Sequence, residues 1–290
     1  MKSILFVGLG TMGFPMASHI ANKIHSALYV FNRTERKEKI FIAEHGGYSL
    51  RQLERKDNFF DLMILCLKDD NAILEVLFEQ GFVDFLKPKG IIIDHSTTSL
   101  SLVDSIKNNE KVISKNIEFL DAPVSGGEAG ATKGVLSAMV GGNKTSLDKH
   151  QETLNAYTKS IVHIGPNGHG QISKMINQIC ISGVLQGLSE AIEFGKKQNV
   201  DMHKVIEAIS GGAAQSWQLE NRATTMLEDK FDFGFAIDLM IKDLEIIKSS
   251  NPNDATKLSL AMDVLARYKA LSKKGFGKLD TSVLIKSLQD

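Results

Sequence analysis

Three glycines near the N-terminus are the first residues in this sequence whose types and spacing could do chemistry. Gly8-Leu9-Gly10-Thr11-Met12-Gly13 lies between the apolar run Ile4-Leu5-Phe6-Val7 and a helical pattern from Met16 to Ile24. In that setting the first glycine permits a tight turn, the second lets backbone approach a pyrophosphate, and the third lets helix and strand pack closely. The N–H groups at the helix start have no intrahelical partner and can bind phosphate. Pro15 is compatible with this, because a proline in the first helical turn removes an N–H that had no partner anyway. Spacing alone would fit any glycine-rich turn; the strand before it and the helix after it point to a dinucleotide.

The end of the second strand bears on which dinucleotide. About twenty residues after the glycines, an NAD site carries a carboxylate for the ribose hydroxyls. Phe31-Asn32-Arg33-Thr34 stands there instead. A guanidinium beside a hydroxyl and an amide suits a 2′-phosphate, which a carboxylate would repel, so NADP is expected in preference to NAD. Further along, Ser125-Gly126-Gly127 offers a hydroxyl and approachable N–H groups, the parts that hold a carboxylate and equally those of an ordinary turn.

These segments need a scaffold, and the apolar pattern supplies one. Short β-rich runs at Ser3 to Val7, Ala27 to Phe31, Asp61 to Leu67, Gly90 to Ile93, Glu118 to Leu120, Leu136 to Val140 and Ser160 to Ile164 alternate with amphipathic stretches. Such alternation predicts an α/β domain built on a mainly parallel, doubly wound sheet. Strand signals stop at the turn cluster Gly165-Pro166-Asn167-Gly168-His169-Gly170, which divides the chain into a Rossmann domain, 1–164, and an all-α domain, 165–290. A long interdomain helix from Gln171 to about Lys197 joins them, with Ile172, Met175, Ile176, Ile179, Val184, Leu188 and Ile192 at roughly helical spacing. Met202 to Ile209, Leu219 to Leu227, Phe235 to Lys248, Asp254 to Ser272 and Thr281 to Leu288 also read as helices.

Composition narrows the function classes. Of 290 residues, 43% are hydrophobic and 23% charged, ordinary for a soluble globular protein. Basic and acidic residues number 34 each, so no nucleic-acid partner is expected. Cys66 and Cys180 stand far apart without metal-ligand spacing and read as buried small hydrophobes; no metal is expected. The N-terminus shows no signal-peptide pattern and no apolar run approaches a membrane span, so a cytoplasmic location without membrane partners is the expectation.

Four motifs in order along the chain resemble those of the β-hydroxyacid dehydrogenases, the family of 3-hydroxyisobutyrate dehydrogenase, tartronate semialdehyde reductase and the glyoxylate/succinic semialdehyde reductases. They are the glycine turn through Ala17, Asp121-Ala122-Pro123-Val124-Ser125-Gly126-Gly127, Gly168 to Asn177, and Leu239-Met240-Ile241-Lys242-Asp243-Leu244. The resemblance implies hydride transfer between NADP and a small carboxylate-bearing carbonyl or hydroxyacid. It makes Lys174 the proton donor in reduction, where charge develops on the carbonyl oxygen. Asn177, three residues on, would orient that ammonium or bind substrate. Ser125, Gly126 and Gly127 would bind the substrate carboxylate, and Lys242 the nicotinamide end of the cofactor. Leu67, Lys68 and Thr97 would join Gly8 to Gly13, Asn32, Arg33 and Thr34 as cofactor contacts. Family members commonly form dimers or tetramers through the helical domain, so a homodimer or homotetramer is implied.

His95 and Phe233 depart from the family pattern, which has a small residue and a proline there. An NADP-dependent imine reductase and a non-catalytic NADP-binding scaffold share the fold, but such relatives usually lack the lysine that Lys174 matches. A 6-phosphogluconate or acetohydroxyacid enzyme is less well matched, since no metal-binding carboxylate cluster stands out.

Overall fold

The computed structural model describes residues 2–54 and 56–289. Its contacts divide the chain into two compact units, Met1–Lys174 and Met175–Asp290.

The first unit is one sheet covered on both sides. Its strands are β1 (Lys2–Val7), β2 (Ser26–Phe31), β3 (Tyr48–Ser49), β4 (Phe60–Leu65), β5 (Leu86–Asp94), β6 (Glu118–Asp121), β7 (Val124–Ser125), β8 (Leu136–Gly141) and β9 (Thr158–Gly165). They lie in the order β3-β2-β1-β4-β5-β6-β8, with β7 and β9 also bonded to β8. Every pairing among the described residues is parallel except those of β8 with β6 and β7. Strands buried on both faces read as unbroken apolar runs, and here alternate residues go to opposite cores. Ile4, Phe6, Leu62, Ile64, Ile91 and Ile93 join one cluster. Leu5, Val7, Met63, Leu65 and Ile92 join the other.

The helices of this unit are α1 (Gly13–Lys23), α2 (Glu35–His45), α3 (Asp70–Leu74), α4 (Leu100–Lys107), α5 (Glu110–Ser114), α6 (Gly127–Lys133) and α7 (Lys144–Asn155). The chain order reverses at β1, whose neighbours are β2 and β4. Loops leaving the carboxyl ends of β1 and β4 therefore flank the crevice where doubly wound sheets bind ligands.

Helix α8 (His169–Lys197, 29 residues) begins in the first unit and carries on into the second. The second unit contains α9 (Met202–Ile209), α10 (Trp217–Leu227), α11 (Ile237–Ser249) and α12 (Ser259–Leu271), and ends in a 3₁₀ segment, Thr281–Leu288. No described helix is long and apolar enough to cross a membrane.

Four expectations need correction. The two-residue strands β3 and β7 are too short to show a period of two, and the sequence reading passes over them. Thr281–Leu288 is a 3₁₀ helix, and α12 starts at Ser259 rather than Asp254, after a 3₁₀ turn at Pro252–Asp254. Cys180 is exposed and Cys66 partly accessible, although burial beside Asp94 pushes the Cys66 thiol up to about 12. Finally, the apolar stripe expected on α8 is only partly buried: Met175 and Ile192 are covered and Ile179 and Leu188 half-covered. Ile172, Ile176 and Val184 are exposed, while Gln171, Lys174, Gln178, Ser182, Gln186 and Ser189 are buried. Most of these polar groups find partners: Ser182 and Ser189 donate to the carbonyls of Ile179 and Leu185, Gln186 Nε2 to Glu190 Oε1 on the same helix, and Gln171, Lys174 and Gln178 reach other segments.

Candidate functional site

The glycine turn follows β1 and opens α1, and its three glycines answer to different constraints. Gly8 has φ 102°, and a Cβ there would run into the Cys66 carbonyl oxygen at the end of β4. A Cβ on Gly13 would strike the Gly8 carbonyl, so its absence sets how closely α1 approaches β1. Around Gly10 a Cβ would meet nothing within 4 Å. The open middle and closed flanks fit a turn that admits a phosphate beside its backbone. Leu9 is buried, Met12 half-buried and Thr11 exposed.

Asn32 ties this turn to β2: its Oδ1 accepts from Leu9 N at 3.0 Å, and its Nδ2 donates to Thr34 O at 3.1 Å. Arg33 and Thr34 are exposed, Thr34 standing as the N-cap of α2. A carboxylate does lie near, on Glu38, but it is turned inward and wholly buried. Its Oε1 accepts from Asn32 N (2.9 Å) and Arg51 Nε (3.2 Å), and its Oε2 from Ser49 Oγ (2.6 Å). This end of β2 therefore presents an exposed Arg33 and keeps its nearest buried acid occupied.

Across the crevice, Leu67 packs on Gly8, and its N–H donates to Ser96 Oγ at 2.8 Å. Lys68 is exposed, 3.8 Å from Asp69. Thr97 is half-buried in a loop gripped from both sides by Gln171, which donates to Ser96 O (2.8 Å) and accepts from Thr98 N (3.1 Å).

Asp121, the last residue of β6, fixes the start of α8. Its buried carboxylate accepts from Gly168 N at 2.8 Å and Gln171 N at 3.1 Å. Burial raises its pKa, opposed by those N–H groups and by Asn167. One turn further, Lys174 is 9% exposed and donates from Nζ to Val124 O at 3.1 Å. The Asp121 to Gly127 segment thus both anchors the helix and receives the ammonium, with Ser125 half-buried and Gly126 and Gly127 exposed next to it.

His95 holds the same segment from beneath. It is buried, with Nδ1 2.6 Å from Ala122 O and Nε2 2.8 Å from the buried Tyr157 hydroxyl. The carbonyl can only accept, so Nδ1 carries the proton and Nε2 accepts from the tyrosine. Burial lowers its pKa to about 4. A neutral, fully engaged imidazole supports the loop and is not a proton donor for substrate.

In the second unit, Asn177 and Lys242 belong to one hydrogen-bonded chain. Asn177 Nδ2 donates to Gln178 Oε1 (2.8 Å), Gln178 Nε2 to Asp243 Oδ2 (2.6 Å), and Lys242 Nζ lies 3.0 Å from Asp243 Oδ1. Gln178 and Asp243 are buried, so Lys242–Asp243 is not the surface ion pair that adjacency in sequence allows. Among the described residues no group of three or more His, Cys, Asp or Glu could hold a metal. The sequence reading does not single out Glu38, Arg51, Gln171, Gln178 or Asp243 as functional. For Gln171 and Gln178 the signal is polar residues recurring every three or four positions on α8, and Gln171 and Asp243 also lie inside the family-like motifs; nothing local marks Glu38 or Arg51.

A sheet with a glycine turn at its switch point, followed by a helical unit, defines a two-part dinucleotide-binding protein. The NAD-binding domain family of 6-phosphogluconate dehydrogenase matches residues 3–165, and the NAD-binding domain family of NADP-dependent 3-hydroxyisobutyrate dehydrogenase matches residues 168–288. An uncharacterized oxidoreductase of Shewanella frigidimarina is 40% identical over 100% of this chain and 99% of its own. The 2-hydroxy-3-oxopropionate reductase of Escherichia coli is 32% identical over 98% and 96%. In fold, the chain resembles Mycobacterium tuberculosis 3-hydroxyisobutyrate dehydrogenase solved with L-serine, at TM-score 0.88 and 24% identity over 100% of both chains. The chain belongs to the 3-hydroxyisobutyrate dehydrogenase family of NAD(P)-dependent hydroxyacid dehydrogenases.

Proposed function

We propose that this protein is an NADP-preferring oxidoreductase interconverting a small β-hydroxyacid with its semialdehyde, or reducing a glyoxylate-type carbonyl. The observation that carries this reading is the Lys174 ammonium, drawn out of solvent onto the Val124 carbonyl next to Ser125. Burying an ammonium is costly, and here it stands beside the segment best suited to a carboxylate.

The backbone of Gly8 to Gly13 would hold the pyrophosphate, Asn32, Arg33 and Thr34 the phosphorylated ribose, and Leu67, Lys68, Thr97 and Lys242 the remaining contacts. When bound, the cofactor would supply the hydride as NADPH and accept it as NADP in the reverse direction. Ser125 Oγ and the N–H groups of Gly126 and Gly127 hold the substrate carboxylate. Lys174 gives a proton to the carbonyl oxygen as charge develops there and takes it back in the oxidative direction. Asn177, one turn along α8, orients the reacting group. Preference for NADP is supported by outward-facing Arg33 and by the closure of Glu38 against ribose.

Residues 1–164 would form the cofactor domain, which also carries Ser125 to Gly127, and residues 165–290 the helical domain for substrate and assembly, which also carries Lys242, in a cytoplasmic homo-oligomer. Exposed Phe194, Val200 and Trp217 in the second unit support a subunit contact. The test is NADPH and NADH oxidation by wild type and Lys174→Ala against glyoxylate and small semialdehydes, with folding of both proteins checked. NADPH-dependent turnover falling on the order of 1,000-fold in the variant is expected. Equal activity of the two proteins removes the assignment of Lys174, and equal use of NADH removes the NADP preference.

A further inference from the structure

We propose that Arg51 is a second guanidinium contact for the ribose 2′-phosphate of NADP, held in place by the buried carboxylate of Glu38. The proposal rests on the NADP reading above and adds a residue to that corner.

Register puts Arg51 at the right edge of the sheet. β3 runs parallel to β2 with Val30 opposite Ser49. Arg51 lies in the 3₁₀ turn Leu50–Gln52 that Ser49 caps, just past the carboxyl end of β3, on the side of the sheet where dinucleotides bind. The hydrogen bonds agree: Arg51 Nη2 donates to Asn32 O at 3.1 Å and Nε to Glu38 Oε1 at 3.2 Å. The guanidinium carbon lies 4.8 Å from the centre of the Phe31 ring. Two hydrogen bonds and a ring face fix the plane of the group.

A cation whose sole task was to neutralise Glu38 would be covered like its partner. Instead the Glu38 side chain is 1% exposed and the Arg51 side chain 42%. Nη1 makes no hydrogen bond among the described residues. A guanidinium with a fixed plane and an outward edge is preorganised for the paired N–H donation that phosphate oxygens accept. Arg33 follows Asn32 directly, so two guanidinium groups border the same corner. The other carboxylate there, Glu35, is engaged by Lys39 at 2.9 Å.

Calorimetric titration of the full-length protein with adenosine 2′,5′-bisphosphate and with 5′-AMP tests this without turnover. Wild type should bind the bisphosphate about tenfold or more tighter than the monophosphate, the gain from charge-assisted hydrogen bonds. Arg51→Gln should lower that advantage about tenfold and leave 5′-AMP affinity unchanged. Because Arg51→Gln strands a buried carboxylate, the double variant Glu38→Gln/Arg51→Gln is measured beside it and should show the same loss. Arg51→Lys, which keeps the charge without the fork, should fall between. If both Arg51→Gln proteins keep the full advantage while Arg33→Gln loses it, Arg51 is structural only and the NADP reading stands. Equal weakening of both probes overturns the contact in the same way. A wild type that does not distinguish the two probes sinks the contact and the NADP reading together.

Discussion

The glycine turn after β1 and the buried side of α8 solve the same problem with different materials. In the turn, the proposed binding chemistry would come from the main chain, and the sequence contributes mainly the absence of side chains at Gly8, Gly10 and Gly13. On α8 and α11 it sits on side chains, with Asn177, Gln178, Lys242 and Asp243 joined in one chain of polar contacts. The first kind of site tolerates almost nothing at the positions where backbone meets backbone. The second depends on every member having its partner, because a buried polar group left unpaired costs more than the pair contributes.

That contrast can be broken by substitution. Gly13→Ala forces a Cβ into the Gly8 carbonyl, a main-chain atom that cannot rotate away. It should destabilise the protein by about 4 kcal/mol in urea unfolding, at the upper end for overpacking. Asp243→Ala should cost about 3 kcal/mol by leaving Gln178 and Lys242 without their shared acid. Replacing Gln178 and Asp243 together by leucine should recover part of that stability, Lys242 alone lacking the acid, while activity stays low. Stability lost equally in the single and double variants would show that the chain is not the stabilising unit.

A smaller effect concerns His95, whose folded pKa of about 4 lies below the unfolded value of 6.5. On acidification the unfolded chain takes up the proton first. This contribution to stability is complete above pH 6.5 and is lost as pH falls towards 4. Between pH 7 and 5 wild type should lose about 2 kcal/mol more than His95→Asn. Urea melts at both values check this, and identical pH dependence in the two proteins would mean the imidazole titrates normally. Smallest is Gly10→Ala, which meets open space. Its stability should stay within about 0.5 kcal/mol of wild type, while NADPH binding, followed by fluorescence, weakens. An unchanged affinity would mean no phosphate approaches that residue.

The same contrast explains what could be read before the structure. Backbone sites leave a trace in residue type, since only glycine tolerates Gly8's φ or Gly13's crowding, and the turn was legible from its spacing. The alternating cores of β1, β4 and β5 were legible because strands covered on both faces must be continuously apolar. Gln171 and Gln178 were not, because a buried glutamine and a solvated one look alike until partners from distant segments are known. Glu38 was hidden for the same reason, its partners Asn32, Ser49 and Arg51 coming from two separate segments. Lys174 could be named through its motif, but its seat on the Val124 carbonyl depends on Asp121 pinning the helix start, a long-range fact that no local pattern carries.

Strand β7 is only two residues long, yet Val124 and Ser125 are laddered to Ala138 and Ser137 of β8. Pairing with β8 therefore holds this segment in place within the fold. Fixing a residue's backbone costs about 1 to 2 kcal/mol, and at Ser125 that cost is met during folding. A carboxylate docking there would face a preorganised surface, and its affinity would not be reduced by ordering the chain that receives it. Amide hydrogen exchange at Val124 and Ser125 should accordingly be slow in the apoprotein and change little on binding.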